Sequence, residues 1–348
     1  MYDLKLQKIN LKDYNERQEV NEFLNKFDLI LDNDVDYTIV LRDKGNKIAA
    51  TCSKAKSVFK CFAIDPKLQG DGITSKLITD LINKSFEEGV YHNFIFTKPK
   101  NIEIFSSLNF KLIYEVEKVA LLENGVYNIN NCLNNLIKKN NINITQKKSA
   151  IVMNCNPFTL GHKYLIEQAS KQSEEVLVFI VQENKSLFPF DVRYSLVKKG
   201  VAHLRNVKVV PGTEYIISSA TFPSYFLRKE DERLQAYTKL DANIFGEYFC
   251  KKLNIVRRFV GEEPYCNVTR EYNKALKNQL YKYGIELEQL KRKEINDTII
   301  SASKVRELIR NNEIEEISKF VPRVTLEFFN TDKGKEIMEK IKYSNSPH

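Results

Sequence analysis

The chain has 348 residues, of which 43% are hydrophobic and 28% charged, and it carries a net charge of +9. The length suits two domains rather than one, and the balance is that of a soluble globular protein. No run of 18 apolar residues occurs, the N-terminus is charged and polar, and the basic residues are scattered, so no membrane span, no secretory leader and no nucleic-acid surface is expected.

In chain order, residues 37–41 and 47–52 read as a hairpin turned by Asp43-Lys44-Gly45-Asn46, and 57–64 as a third strand. The stretch Gln69-Gly70-Asp71-Gly72 leads into a helix running to about Phe86, with Ile73, Leu77, Ile78, Leu81 and Ile82 on one face. A strand at 94–96, a short helix at 102–108 and a strand at 110–115 follow. Residues 138–148 are polar, basic and non-periodic, and read as a linker. Beyond it, apolar strands at 150–153, 176–181, 207–210 and 256–261 alternate with helices. That rhythm implies a parallel sheet covered by helices on both faces. The expected fold class is therefore α/β in two domains, 1–137 and 149–348, joined by the linker.

Three places along the chain suit anionic phosphate. At Gln69-Gly70-Asp71-Gly72, glycines between a strand and an amphipathic helix let backbone N–H groups turn outward, and the helix N-terminus adds about half a positive charge. The plain alternative is a strand-to-helix turn. At Thr159-Leu160-Gly161-His162, a second helix opens after the strand at 150–153, and His162 and Thr159 supply donors at its first turn. The alternative there is a histidine that caps a core helix. Far downstream, Ser301-Ala302-Ser303-Lys304-Val305-Arg306 opens another helix, where two serines and an arginine make a further anion trap.

The first site and the elements around it resemble the GNAT acetyltransferases, whose Gln/Arg-x-x-Gly-x-Gly/Ala signature binds the pyrophosphate of coenzyme A. The last position here is Thr74, which leaves room for a modified or protein-attached pantetheine. The second and third pieces resemble the (H/T)xGH and ISSTxxR signatures of the nucleotidyltransferases, which bind ATP and transfer its AMP moiety. The string from Ile151 to His162, with Phe188 to Arg193 and Gly261 to Arg270, is similar to the citrate lyase ligase family, which joins a GNAT-like N-terminal domain to a Rossmann-like, parallel-sheet nucleotidyltransferase domain.

The resemblance implies ATP-dependent acetylation of a carrier thiol. ATP and acetate would form acetyl-adenylate and diphosphate, and the prosthetic-group thiol of the citrate lyase acyl-carrier subunit, derived from dephospho-CoA, would then displace AMP. It implies His162, Thr159 and Arg306 as catalytic donors and ATP contacts at Asn154, Asn156, Phe158, Gly161, Lys163, Gly261, Glu262, Ser301 and Ser303. The prosthetic group would sit at Gln69, Gly70, Asp71 and Gly72, and magnesium would come with ATP. Arg193 and Arg270 read equally as nucleotide contacts or structural ion pairs. The six cysteines (Cys52, Cys61, Cys132, Cys155, Cys250 and Cys266) form no CxxC pair and no Cys/His cluster, which fits a reducing cytoplasm and no zinc site. Of these, Cys155 and Cys266 read as packing residues rather than acyl relays. The rival function is adenylyl transfer to pantetheine phosphate or nicotinamide mononucleotide, which would not need the N-terminal half.

Overall fold

The computed structural model describes residues 4–68, 72–182, 186–216, 226–227, 229–262, 267–295 and 298–344. The chain divides into two units, 1–129 with 222–240 and 130–221 with 241–348.

The first unit contains β1 (Lys5–Lys8), α1 (Tyr14–Asn25), β2 (Tyr37–Arg42), β3 (Ile48–Ala55), β4 (Val58–Ile64), α2 (Ile73–Glu87), β5 (His92–Thr97), α3 (Ile102–Ser106), β6 (Lys111–Val116) and β7 (Val119–Gly125). Its sheet has the order β1-β2-β3-β4-β5-β7-β6. Neighbours are antiparallel except β4 and β5, which run parallel and pair only at Val58↔Phe94 and Phe59↔Ile95. The apolar stripe of α2, with Ile73, Leu77, Ile78 and Leu81 buried, packs into the core that includes Phe59, Ile95 and Leu122. Gly72 precedes that helix at φ +70°, a left-handed conformation that glycine adopts without a Cβ penalty.

The second unit opens with α4 (Ile129–Lys139) and continues through β8 (Lys148–Met153), α5 (Leu160–Lys171), β9 (Glu175–Ile180), α6 (Phe190–Gly200) and β10 (Val207–Pro211). Lys138 and Lys139 end α4 and Lys148 begins β8, so 140–147 form the connection. Next come α7 (Glu230–Ile244), whose residues are divided between the units, a π-helical turn at Phe245–Cys250, α8 (Lys251–Leu253), β11 (Ile255–Gly261), α9 (Asn267–Tyr281) and β12 (Glu286–Leu290). The small pair β13 (Glu294–Ile295) and β14 (Thr298–Ile299) precedes α10 (Ala302–Arg310), α11 (Ile314–Ile317), α12 (Arg323–Phe329) and α13 (Asp332–Tyr343).

The sheet order β10-β9-β8-β11-β12 is parallel throughout. Every residue of β9 is buried, as expected of a strand covered on both faces. From β8 the chain steps outward to β9 and β10, then returns to β11 on the other side of β8. The strand order thus reverses between β8 and β11, and in open α/β sheets ligands bind beyond the carboxyl ends of the strands at such a reversal. The α/β class and the parallel sheet of the second unit are those expected from the sequence.

Candidate active site

At the carboxyl end of β8 the chain turns through residues 154–159 into α5. Thr159 caps the helix, its Oγ1 accepting the His162 N–H at 3.3 Å. In return His162 Nδ1 accepts the Thr159 N–H at 3.1 Å, with Thr159 Oγ1 at 2.9 Å. This is a capping box in which histidine takes the place of the usual glutamate. With Nδ1 accepting, the neutral ring carries its proton on Nε2. Burial, with the nearby charge of Arg292, pulls the His162 pKa down from 6.5 to about 4. At neutral pH the ring is therefore an uncharged N–H donor.

The second signature arrives in the same corner. A Cβ added to Gly161 would lie 2.7 Å from the Ile300 carbonyl oxygen, so glycine is needed to let the start of α5 meet the segment entering α10. Ser301 caps α10 by accepting the Lys304 N–H at 3.1 Å, and its Oγ lies 3.0 Å from Ser303 Oγ. Arg306 is buried, and its Nη1 donates to the carbonyl of Asn156, 150 residues earlier in the chain. Burial and the nearby Arg310 lower its pKa from the ordinary value. The Leu160 N–H is taken by the Phe320 carbonyl at 2.9 Å.

The remaining expected residues divide by what they touch. Asn154 Oδ1 accepts from Arg193 at 2.7 Å, and Asn156 Oδ1 accepts the Phe188 N–H at 3.1 Å. These two side chains therefore hold the loop in shape. Arg193 is fully buried and donates to the carbonyls of Phe188, Asn154 and Val181 at 2.8–2.9 Å. It ties the ends of β8 and β9 together, the kind of contact that its structural reading expects. Phe158 is fully buried in the core, its ring 6.2 Å from that of His162 and packed over Gly200. Its side chain backs the histidine from the core side. Lys163 is half-buried, 3.7 Å from Glu167. Gly261 ends β11 at the strand reversal and Glu262 follows it, with the Gly261 carbonyl accepting from Asn273 at 3.2 Å. Arg270 is exposed on α9. Cys155 is buried and its thiol pKa is pushed well up by burial, so it is a packing residue. Glu263 to Cys266 lie outside the described residues.

Sequence reasoning missed Arg292. Its Nε donates to the Glu262 carbonyl at 2.6 Å, and its charge is felt at His162. The available signal was the basic triplet Lys291-Arg292-Lys293 directly after a strand.

The first unit holds a cavity of about 710 Å³ where β4 and β5 diverge. Phe62, Ile64, Phe105 and Leu108 are among its apolar lining residues, and Thr74, Ser75, Lys98 and Lys100 among its polar ones, with Gly72 also lining it. Of the expected prosthetic-group contacts Gly72 lines this cavity, while Gln69, Gly70 and Asp71 lie outside the described residues. Among the described residues no group of three or more His, Cys, Asp or Glu is placed to hold a metal, and no helix is long and apolar enough to cross a membrane.

A strand reversal in a parallel sheet, with a Thr–His capping box on one side and a serine-capped, arginine-bearing helix against it, defines a nucleotidyltransferase-type domain. Residues 148–329 match the family model of the citrate lyase ligase C-terminal domain. The chain is 37% identical over 323 residues to the [citrate [pro-3S]-lyase] ligase of Klebsiella pneumoniae, covering 91% of this chain and 94% of that protein. The chain belongs to the citrate lyase ligase family. Among solved structures, it is similar to a GNAT-family acetyltransferase from Staphylococcus aureus Mu50 (16% identity, 35% of this chain and 100% of that one, TM-score 0.29). It is likewise similar to a putative nicotinate-nucleotide adenylyltransferase from Vibrio parahaemolyticus (16% identity, 58% and 99%, TM-score 0.36).

Proposed function

We propose that the chain is a [citrate [pro-3S]-lyase] ligase that activates citrate lyase by acetylating the thiol of its acyl-carrier prosthetic group, with ATP and acetate as co-substrates. The observation that carries this reading is the match to the Klebsiella ligase along 91% of the chain.

The chemistry needs no base in its first step. Acetate is ionised at neutral pH, and its oxygen attacks the α-phosphorus of ATP as the bond to pyrophosphate breaks. The demand is to hold anions together and to stabilise charge on the departing oxygen. The His162 corner suits that demand because its side chains are donors. A neutral imidazole with Nδ1 engaged presents Nε2–H and stays uncharged across physiological pH. Ser301, Ser303, Lys163 and Arg306 extend the donor set, with Arg306 acting through the Asn156 carbonyl it holds. A set of N–H, hydroxyl and cationic groups suits phosphate oxygens and not a cation, so magnesium enters on the phosphates of ATP.

In the second step the carrier thiol attacks the acetyl carbon and AMP leaves. The cavity of the first unit has a size, an apolar lining and two lysines, Lys98 and Lys100, that suit a phosphopantetheine-type arm. Free buried cysteines fit a reducing, cytoplasmic setting. The test is isotope exchange between pyrophosphate and ATP. The reading expects exchange that depends on acetate and needs no carrier. Exchange driven by phosphopantetheine or nicotinamide mononucleotide instead would replace it with the adenylyltransferase reading.

A further inference from the structure

We propose that Arg292 is a pyrophosphate-binding residue of the His162 corner, gripping the leaving end of ATP. The inference deepens the ATP-dependent reading above and rests on it for the identity of the nucleotide. Its basis is the set of contacts that brings residues 291–293 to the carboxyl edge of the parallel sheet. Arg292 Nε is fixed by the Glu262 carbonyl at 2.6 Å, immediately after β11. The same side chain passes Gly261, 3.9 Å from where a Cβ would stand. Next to it, the Lys293 carbonyl accepts the Ile300 N–H at 3.0 Å. Ile300 is the residue whose carbonyl abuts Gly161, one position before His162. The basic segment, the start of α10 and the start of α5 thus form one continuous rim around the strand reversal.

Charge decides which anion this rim takes. Lys291, Arg292 and Lys293 put three consecutive positive charges there, with both lysines exposed and Arg292 half-buried between them. Acetate carries one negative charge. Departing pyrophosphate carries several, and a planar guanidinium pairs with two of its oxygens at once. Held by Glu262 at Nε, the guanidinium is oriented before the ligand arrives, which lowers the ordering cost of binding. The pull on the His162 pKa agrees with a cation positioned close to that ring.

The probe is inorganic pyrophosphate with magnesium, titrated calorimetrically into the full-length protein without acetate or carrier. Arg292→Gln, at an unchanged melting temperature, should weaken pyrophosphate binding by about 10- to 100-fold, as expected for loss of a charge-assisted pair. Arg292→Lys should recover part of it, because the charge returns without the fork. In the same variants the His162 pKa, followed by NMR, should rise with Gln and stay low with Lys. Should Arg292→Gln unfold, the wild-type protein supplies the second measurement: pyrophosphate should shield Arg292 from phenylglyoxal, read by peptide mass mapping. A folded Arg292→Gln protein that binds pyrophosphate normally, or equal labelling with and without pyrophosphate, overturns the proposal. Because no arm contains acetate, a failed ligase reading would show separately, as exchange that ignores acetate.

Discussion

Replacing Gly161 with alanine tests how the two signatures work as one site. The new Cβ would sit 2.7 Å from the Ile300 carbonyl oxygen, where ordinary contact begins at 3.4 Å. The neighbour is backbone, so α5 and the entry to α10 must separate by about 0.7 Å, the difference between 3.4 and 2.7 Å. Overpacking of this kind costs about 1–3 kcal/mol. Alanine returns up to about 1 kcal/mol in helix propensity. The net loss of stability should therefore be only about 0–3 kcal/mol. Activity should fall much further, since a displacement near 1 Å in a positioned site can cost about 100-fold. The assay pairs acetate-dependent pyrophosphate exchange with urea unfolding of Gly161→Ala. A folded variant that exchanges at the wild-type rate would refute the claim that Gly161 sets the spacing between His162 and the Ser301 helix.

Four further outcomes are expected. His162→Ala should lower turnover by about 100- to 1,000-fold with little change in ATP affinity, as when one donor to developing charge is removed. A matched loss of affinity would point to ground-state binding instead. The folded-state pKa of His162, about 4 against 6.5, makes the unfolded chain bind more protons between those values. Its contribution to stability is whole above pH 6.5 and drains away as pH falls toward 4, a slope that urea melts should show in the wild type and lose in His162→Ala. Arg193→Met strips the bonds to Phe188, Asn154 and Val181 and should destabilise the fold by about 3–5 kcal/mol, whereas an equally stable variant that no longer binds ATP would make Arg193 a nucleotide contact. Gly72→Glu meets open space but inherits φ +70°, a strain of about 1–2 kcal/mol. It should spare pyrophosphate exchange and abolish carrier acetylation, and normal acetylation by the folded variant would remove the Gly72 cavity from the prosthetic-group path.

Parts of this architecture were legible because burial writes itself into residue type. β8 and β9 read as apolar runs since helices cover both their faces, and α2 showed its stripe. β5 is longer than its apolar run because it begins with His92 and Asn93, buried polar residues that look like loop; His92 Nε2 lies 3.1 Å from the Glu123 carboxylate on β7. The grouping of 222–240 with the first unit has no local signature at all, since it depends on contacts more than 90 residues distant in sequence. At the site, Thr159 and His162 stood out because three residues span one helical turn. The bonds made by Asn154 and Asn156 and the packing of Phe158 depend on the fold around them, which residue type does not reveal. Arg292 was hidden for a related reason: its partner is the carbonyl of Glu262, and a backbone atom leaves no trace in sequence. In a chain with 54 lysines and arginines, a basic triplet draws no attention.

The central claim is that this chain moves an acetyl group from acetate to a carrier thiol at the expense of ATP. It is tested most directly by incubating the full-length protein with labelled acetate, ATP, magnesium and the deacetylated thiol form of citrate lyase. Label should enter the acyl-carrier subunit in an ATP-dependent way, with one AMP released per acetyl group, and should be discharged by hydroxylamine as expected of a thioester. Absence of label on the carrier, with AMP moiety transferred instead to phosphopantetheine or nicotinamide mononucleotide, would contradict it.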